Sequence, residues 1–315
     1  MITKSKKPAG RWMIYQNKNR GDKKRVLITG VSGLLGCNLA RCWRDQYDIL
    51  GVYHTHPVVL EGISLAQADL LQLKAFDDIC RDFLPEVIVH CAALADIDLC
   101  ETDHGLADAM NVTVTQHVCR AAGQYGAKMV YISTDAVYDG TKGNFKETDP
   151  LVPVNYYAKT KIMAEEHVMQ DLNALIVRTS FYGFNCQPKQ CFAEWVIGQL
   201  RAGRNINGFK DVISSNIFTY DLAKLLGMAI GKDLKGVYNM VCRDAISKYD
   251  FACCLADKFG LDASLIKPIL IGQFPFKARR GKNLSLNVEK LKMVLGIEPV
   301  ISENSVGHFY NYSSR

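Results

Sequence analysis

The segment Asn155-Tyr156-Tyr157-Ala158-Lys159-Thr160-Lys161 places two phenols and two ammonium groups at the start of a stretch with helical spacing. Tyr157 and Lys161 are four residues apart and share one helix face. Tyr156 meets Thr160 at the same offset, and Lys159 lies on another face, so these two read as packing and solvent-facing residues. A free tyrosine titrates near about 10 and is a poor acid at neutral pH. A neighbouring ammonium favours the phenolate and lowers that pKa. Tyr157 is therefore a candidate proton donor to a carbonyl oxygen receiving hydride, and Lys161 a candidate holder of a nicotinamide ribose hydroxyl.

Y-x-x-x-K occurs by chance on many helices, and two upstream segments give it weight. Thr29-Gly30-Val31-Ser32-Gly33-Leu34-Leu35-Gly36 joins an apolar run to a helical one. Glycines there permit a tight turn and close approach of a pyrophosphate, and the helix N-terminus offers free N–H groups. The spacing is G-x-x-G-x-x-G, and Gly30, Gly33, Leu34, Leu35 and Gly36 are the expected cradle. The second segment, Ile132-Ser133-Thr134-Asp135-Ala136-Val137-Tyr138, is a strand end running into a loop. Ligands in open α/β sheets sit outside such carboxyl ends. Thr134 can bond the same carbonyl oxygen as Tyr157, the alternative being a loop-capping hydroxyl.

Cofactor preference would be set after the second apolar run, which ends at Tyr53-His54-Thr55-His56 with no acid before Glu61. A ribose-binding carboxylate is missing, which leans towards NADP over NAD. Asp69-Leu70 could place a carboxylate beside an adenine amino group, or Asp69 could cap the following helix.

These groups need a scaffold, and the periodicity supplies one. Apolar runs RVLITG, DILGVYH, VIVHCAAL, AKMVYIST and ALIVRTS alternate with amphipathic segments, among them LLQLKAFDDICRDFL and a long helix GLADAMNVTVTQHVCRAAGQYG stopped by Gly126. Such alternation predicts a parallel sheet covered on both faces. The expected architecture is α/β: a Rossmann-type doubly wound sheet over residues 25–180, with a smaller α/β substrate-binding region over 181–315 interleaved with it.

Composition narrows the partners. Of 315 residues, 38 are Lys or Arg and 32 Asp or Glu. Nine of the basic residues lie within residues 1–25 beside one acid, Asp22, and the remaining 29 basic and 31 acidic residues nearly balance. The positive charge thus belongs to a leader, read as a basic flexible tail over 1–24, and neither a nucleic-acid nor a membrane partner is expected. No apolar stretch is long enough to span a bilayer. Eleven cysteines contain no C-x-x-C pair, so no metal site is expected. An odd number without a secretory signal points to a reducing cytoplasm.

Taken in order, TGVSGLLG, HCAALADIDLCE, NVT, STDAVYDG, YAKTKIMAE, VRTSFYG and RRGKNLSLNVEKLKMVLG resemble the extended short-chain dehydrogenase/reductase superfamily from about residue 25 to 310. The branch is similar to the dTDP-4-dehydrorhamnose reductases and to the regulatory β subunit of methionine adenosyltransferase. The resemblance implies Thr134, Tyr157 and Lys161 as a catalytic trio and the three glycines under a pyrophosphate. It implies Ala92 and Ala93 along the cofactor, Arg178-Thr179-Ser180 at its nicotinamide end, and a nucleotide-sugar in the C-terminal half near Asp135, Phe181 and Arg280. Phe181 stands where those reductases have Trp, and Gly281 replaces the Pro of an Arg-Pro pair.

The related 4,6-dehydratases carry Thr-Asp-Glu, whereas Ala136 follows Asp135 here, so the base for elimination is missing. The resemblance thus implies an NAD(P)H-dependent 4-keto-reductase of nucleotide-sugars, as in dTDP-rhamnose biosynthesis. A non-catalytic NADP-binding regulator and an epimerase are the alternatives, and a homodimer is one assembly open to the chain.

Overall fold

Five short runs of apolar and β-branched residues form the strands that the periodicity predicts: β1 (Arg25–Thr29), β2 (Asp48–Tyr53), β4 (Val87–His90), β5 (Lys128–Thr134) and β6 (Leu175–Thr179), with β3 (Ser64–Gln67) between β2 and β4. The computed structural model describes residues 22–313, so the expected basic tail lies outside the described residues apart from its last three positions. A seventh strand, Gly236–Asn239, completes a sheet ordered seventh-β6-β5-β4-β1-β2-β3. Every pairing in it is parallel.

Strand order reverses at β1, whose neighbours are β2 and β4. The carboxyl edge beside β1 and β4 is the switch-point crevice where such sheets bind ligands. The doubly wound α/β architecture read from the sequence is the one observed.

Helices cover both faces. They are α1 (Leu34–Trp43), α2 (Leu73–Phe83), α3 (Ile97–Thr102), α4 (His104–Asp108), α5 (Val114–Tyr125), α6 (Tyr156–Val168), α7 (Phe192–Arg201), α8 (Thr219–Gly231) and α9 (Lys248–Lys258). Successive side chains of β1 point to opposite faces. Val26 and Ile28 join Trp43, Leu222 and Leu226 under α1 and α8, while Leu27 joins Phe76, Ile79, Val118 and Met129 under α2 and α5. A third core, with Tyr182, Val196, Phe218, Phe251 and Phe309, belongs to the C-terminal half. That half is stitched into the first: the Trp43 indole N–H donates to Ala223 O at 3.1 Å. No helix among the described residues is long and apolar enough to cross a membrane.

Two local differences from the expected pattern bear on the site. The long helix predicted from GLADAM to Gly126 runs unbroken from His104 to Tyr125, but a π-helical turn, Ala109–Thr113, lies within it between α4 and α5. Gly126, with φ +66°, does end it as predicted. The π turn carries Asn111, whose side chain accepts from Leu94 N at 2.8 Å and donates to Leu94 O at 3.1 Å and Thr160 Oγ1 at 3.0 Å. A one-residue excess of this kind re-aims a side chain without ending the helix.

The second difference is a disulfide between Cys37 on α1 and Cys186 in the loop after Phe181–Tyr182, with Cα atoms 6.5 Å apart. Cystines commonly span that separation. The other nine cysteines are free. The expectation of a reducing compartment did not foresee this pair, because cysteine spacing does not reveal which thiols folding brings together.

Candidate active site

The turn from β1 into α1 is built for backbone to approach something flat and anionic. Gly30 adopts φ +65°, and a Cβ on it would lie 2.7 Å from Ala92 N. A Cβ on Gly36 would lie 2.5 Å from Gly30 O. Side chains are thus barred where strand, turn and helix meet. Gly33 N donates to Gly30 O at 2.9 Å, closing the turn. The N–H groups of Leu34, Leu35 and Gly36 have no acceptor among the described residues, and no side chain caps α1. Free donors and the positive helix end fit a pyrophosphate.

The other expected cofactor residues surround this turn. Tyr53 ends β2 half-buried, and its carbonyl accepts from Ala68 N at 2.9 Å. Asp69 Oδ1 accepts from Leu71 N at 3.0 Å, so one of its oxygens shapes the turn before α2; the N-cap position itself is Gln72. Leu70 is buried, with its carbonyl facing His117 Nδ1 at 3.0 Å. Ala92 N donates to Thr29 Oγ1 at 3.3 Å, placing the Ala92–Ala93 backbone against the glycine turn.

One strand over, β5 ends at Thr134, whose hydroxyl accepts from Ala136 N at 3.1 Å and donates to Asp135 Oδ1 at 3.1 Å. Thr134 therefore caps its loop, the alternative reading of that residue, while also standing beside Tyr157. Asp135 is buried, and burial pushes its carboxyl up to about 6.

Helix α6 begins where the sequence places it. Asn155 Oδ1 caps α6 by accepting from Ala158 N at 2.9 Å. Tyr156 is occupied elsewhere, its hydroxyl donating to Asp108 Oδ2 at 2.9 Å and its ring stacked on His104. Lys159 is exposed. Tyr157 lies half-buried next to Thr134, and burial raises its pKa above the ordinary range while the Thr134 hydroxyl acts in the opposite sense.

Lys161 does not act on Tyr157 as expected. Its Nζ donates to Ile132 O at 2.8 Å and sits 4.1 Å from the Tyr131 ring centroid. Burial lowers its pKa to about 7. The offset of four puts both residues on one face, but the lysine stem extends into the sheet and satisfies a strand carbonyl. Two ammonium protons are left for a cofactor hydroxyl. Behind it, buried His90 bridges Thr29 and Thr115 and is held down to about 3 by burial and by Lys161, so it is neutral.

Arg178, expected at the nicotinamide end, sends its guanidinium the other way, to Glu165 Oε2 at 2.6 Å and Tyr138 Oη at 2.6 Å. Thr179 Oγ1 donates to Met240 O.

Phe181 pairs with Ile217 on the far side of the crevice and is half-buried. Arg280 Nη2 donates to Asp98 Oδ1 at 3.0 Å, and its guanidinium lies 4.9 Å from the Phe276 centroid. The backbone before it is latched to the start of α6, since Asn155 Nδ2 donates to Arg279 O at 2.9 Å. Sequence reasoning missed two residues here: Asn111 and Glu165. Asn111 stands in the NVT motif and Glu165 follows Lys161 by one helical turn.

The family described as RmlD substrate binding domain matches residues 24–314. The chain is 32% identical over 291 residues to methionine adenosyltransferase 2 subunit beta of Rattus norvegicus, covering 87% of this chain and 83% of that protein. It is 29% identical over 295 residues to the dTDP-4-dehydrorhamnose reductase of Aggregatibacter actinomycetemcomitans, covering 87% and 94%. Among solved structures, the dTDP-4-dehydrorhamnose reductase of Bacillus anthracis in complex with NADP superposes with a TM-score of 0.83 at 26% identity, covering 92% of this chain and 99% of that one.

Proposed function

Since the chain belongs to the RmlD substrate-binding-domain family, we propose that it reduces the 4-keto group of a 4-keto-6-deoxy nucleotide-sugar with NADPH, NADH being the second choice, and that Tyr157 is the proton donor. The observation that carries this reading is the meeting of Tyr157 and Thr134 at the carboxyl edge of β5, two strands from an α1 N-terminus with free N–H groups. The Bacillus anthracis relative was solved with NADP, and the β2 end here carries no carboxylate to repel a 2′-phosphate.

The residues divide the work. Leu34, Leu35 and Gly36 N–H groups hold the pyrophosphate, and Lys161 holds the ribose. Reduced nicotinamide supplies the hydride when bound. Tyr157 and Thr134 hold the substrate oxygen, and Tyr157 delivers its proton there. A high tyrosine pKa keeps the phenol protonated at neutral pH, as a donor must be. Ala136 offers no carboxylate for an elimination, which favours reduction over dehydration.

Direct assay is oxidation of NADPH, followed at the nicotinamide band, with a panel of 4-keto-6-deoxy nucleotide-sugars. The 32% identity to methionine adenosyltransferase 2 subunit beta supports a second reading, a non-catalytic NADP-binding regulator. No oxidation with any sugar, together with a stable protein partner in pull-downs, would favour the regulator.

A pH prediction follows from Lys161. Its folded pKa of about 7 lies below the ordinary lysine value. The ammonium is present below pH 7 and lost as pH rises through it. We expect kcat/KM to fall about tenfold per pH unit above that point. Stability moves oppositely: the unfolded chain binds the extra proton between pH 7 and the ordinary lysine pKa, so the contribution of Lys161 rises with pH across that window. Lys161→Arg, which does not titrate there, should flatten the limb. A wild-type profile level up to pH 9 would remove the cation from the mechanism.

A further inference from the structure

Asn155 is buried, and both ends of its side-chain amide are in use. Oδ1 caps α6 by accepting from Ala158 N at 2.9 Å, while Nδ2 donates at 2.9 Å to Arg279 O, 124 residues further along the chain. Asparagine, aspartate and serine cap helices about equally well. Aspartate has no proton to give, and serine has one oxygen on a shorter stem. Only asparagine holds the first turn of α6 with one atom and a remote carbonyl with another. The residue type at this position is therefore explained by Arg279 O as well as by the helix.

The segment around Arg279 touches the elements that frame Tyr157 and Thr134. On α3, Asp98 Oδ1 accepts from Ala278 N at 2.9 Å and from Arg280 Nη2 at 3.0 Å. One turn further along α3, Glu101 Oε2 accepts from Tyr156 N at 2.8 Å, so α3 holds both the segment and the first residue of α6. In the loop that follows Thr134, Gly140 O accepts from Asn283 N at 2.9 Å, and a Cβ on Gly140 would lie 2.7 Å from Gly281 Cα. Towards the C-terminal half, Ile213 N donates to Lys282 O at 2.7 Å and Leu284 N to Ile213 O at 2.9 Å. Segment 278–284 thus lies between the C-terminal half and the two elements that carry Tyr157 and Thr134. We propose that Asn155 is a positioning residue: by holding Arg279 O it fixes the first turn of α6 against this segment and so sets the Tyr157 hydroxyl relative to Thr134. The role of Tyr157 comes from the reductase reading, whereas the clasp stands on the hydrogen bonds.

A cap and a clasp are separated by which substitution preserves which. Wild type, Asn155→Ser, Asn155→Asp and Asn155→Ala would be compared in melting temperature, in NADPH affinity by calorimetry, and in steady-state reduction of a 4-keto-6-deoxy nucleotide-sugar. Asn155→Ala loses cap and clasp together and should melt several degrees below wild type. Serine and aspartate keep the cap, so both variants should melt above Asn155→Ala. All three lose the donor to Arg279 O, and kcat should fall at least about tenfold in each, since small displacements of a reacting group are costly. KM for the sugar should change less than about threefold and NADPH affinity less than about twofold. Melting temperature then follows the cap, and kcat follows the clasp.

Near-wild-type kcat in Asn155→Ser and Asn155→Asp would leave Asn155 a cap alone and overturn the proposal. So would failure of both variants to fold, which would make the bond part of the fold, or a fall in kcat matched by a loss of NADPH affinity. Hydrogen exchange of the full-length proteins reads the clasp without turnover. Amides over 276–284 should exchange at least about tenfold faster in both variants, with β1 and β4 at wild-type rates. Equal exchange over 276–284 in all the proteins would overturn the clasp. Faster exchange there, in a protein whose wild type oxidises NADPH with no 4-keto sugar, would overturn the reductase reading and leave the clasp standing.

Discussion

Tyr157→Phe should lower kcat for reduction of a 4-keto sugar by about 10³-fold while leaving NADPH affinity within about twofold. Tyr157 stands beside Thr134, the second hydroxyl at the end of β5. Phenylalanine keeps the ring and its packing and removes only the hydroxyl that carries the proton, so the loss should fall on kcat and not on cofactor binding. Thr134→Val should be milder, because the threonine orients the oxygen and supplies no proton. A further effect is expected on the fold around it: Thr134 Oγ1 accepts from Ala136 N, so its loss frees the loop that carries Asp135. Stopped-flow single turnovers with saturating NADPH separate these cases. Near-wild-type turnover by Tyr157→Phe would exclude Tyr157 as the donor.

The second large effect is on stability. Glu165 lies on α6 one turn after Lys161, and its side chain is 0% exposed, as against 3% for that of Arg178. Its carboxylate accepts from Arg178 Nε and Nη2 and from Ser133 Oγ. Arg178 in turn donates to Tyr138 Oη and Glu147 O. The network thereby ties β5, β6, α6 and the loop after Tyr138. Glu165→Ala leaves a guanidinium buried and unpaired, which costs about 3–5 kcal/mol. We expect a fall in Tm of about 10 °C. The double variant Glu165→Met with Arg178→Met should lose less than Glu165→Ala alone, because no uncompensated charge is left. Urea titration of wild type and the two variants reads this directly. A double variant less stable than the single one would mean that the pair contributes net attraction, beyond mutual compensation of two desolvated ions.

Much of this was legible in the linear chain. Strand runs bounded by glycine, the G-x-x-G-x-x-G turn, and the offset between Tyr157 and Lys161 are all local, and each landed where the spacing placed it. Asn155 as the cap of α6 and Gly126 as the stop of α5 obey the same short-range rules. The helix through Asn111 is continuous as predicted, and only its π turn was not legible, because a π turn inside a helical pattern is fixed by what the side chain meets, here the loop at Leu94.

What the sequence by itself determined is the doubly wound sheet, the glycine turn at the start of α1 and the shared helix face of Tyr157 and Lys161, since periodicity and helix offset depend only on neighbours in the chain. Tertiary structure alone decided the rest. It turned Lys161 to Ile132 O, spent Arg178 on Glu165, and joined Cys37 to Cys186 across 149 residues. The reason is physical: a long charged side chain takes whichever acceptor the packed interior leaves for it, and that acceptor belongs to a segment remote in sequence.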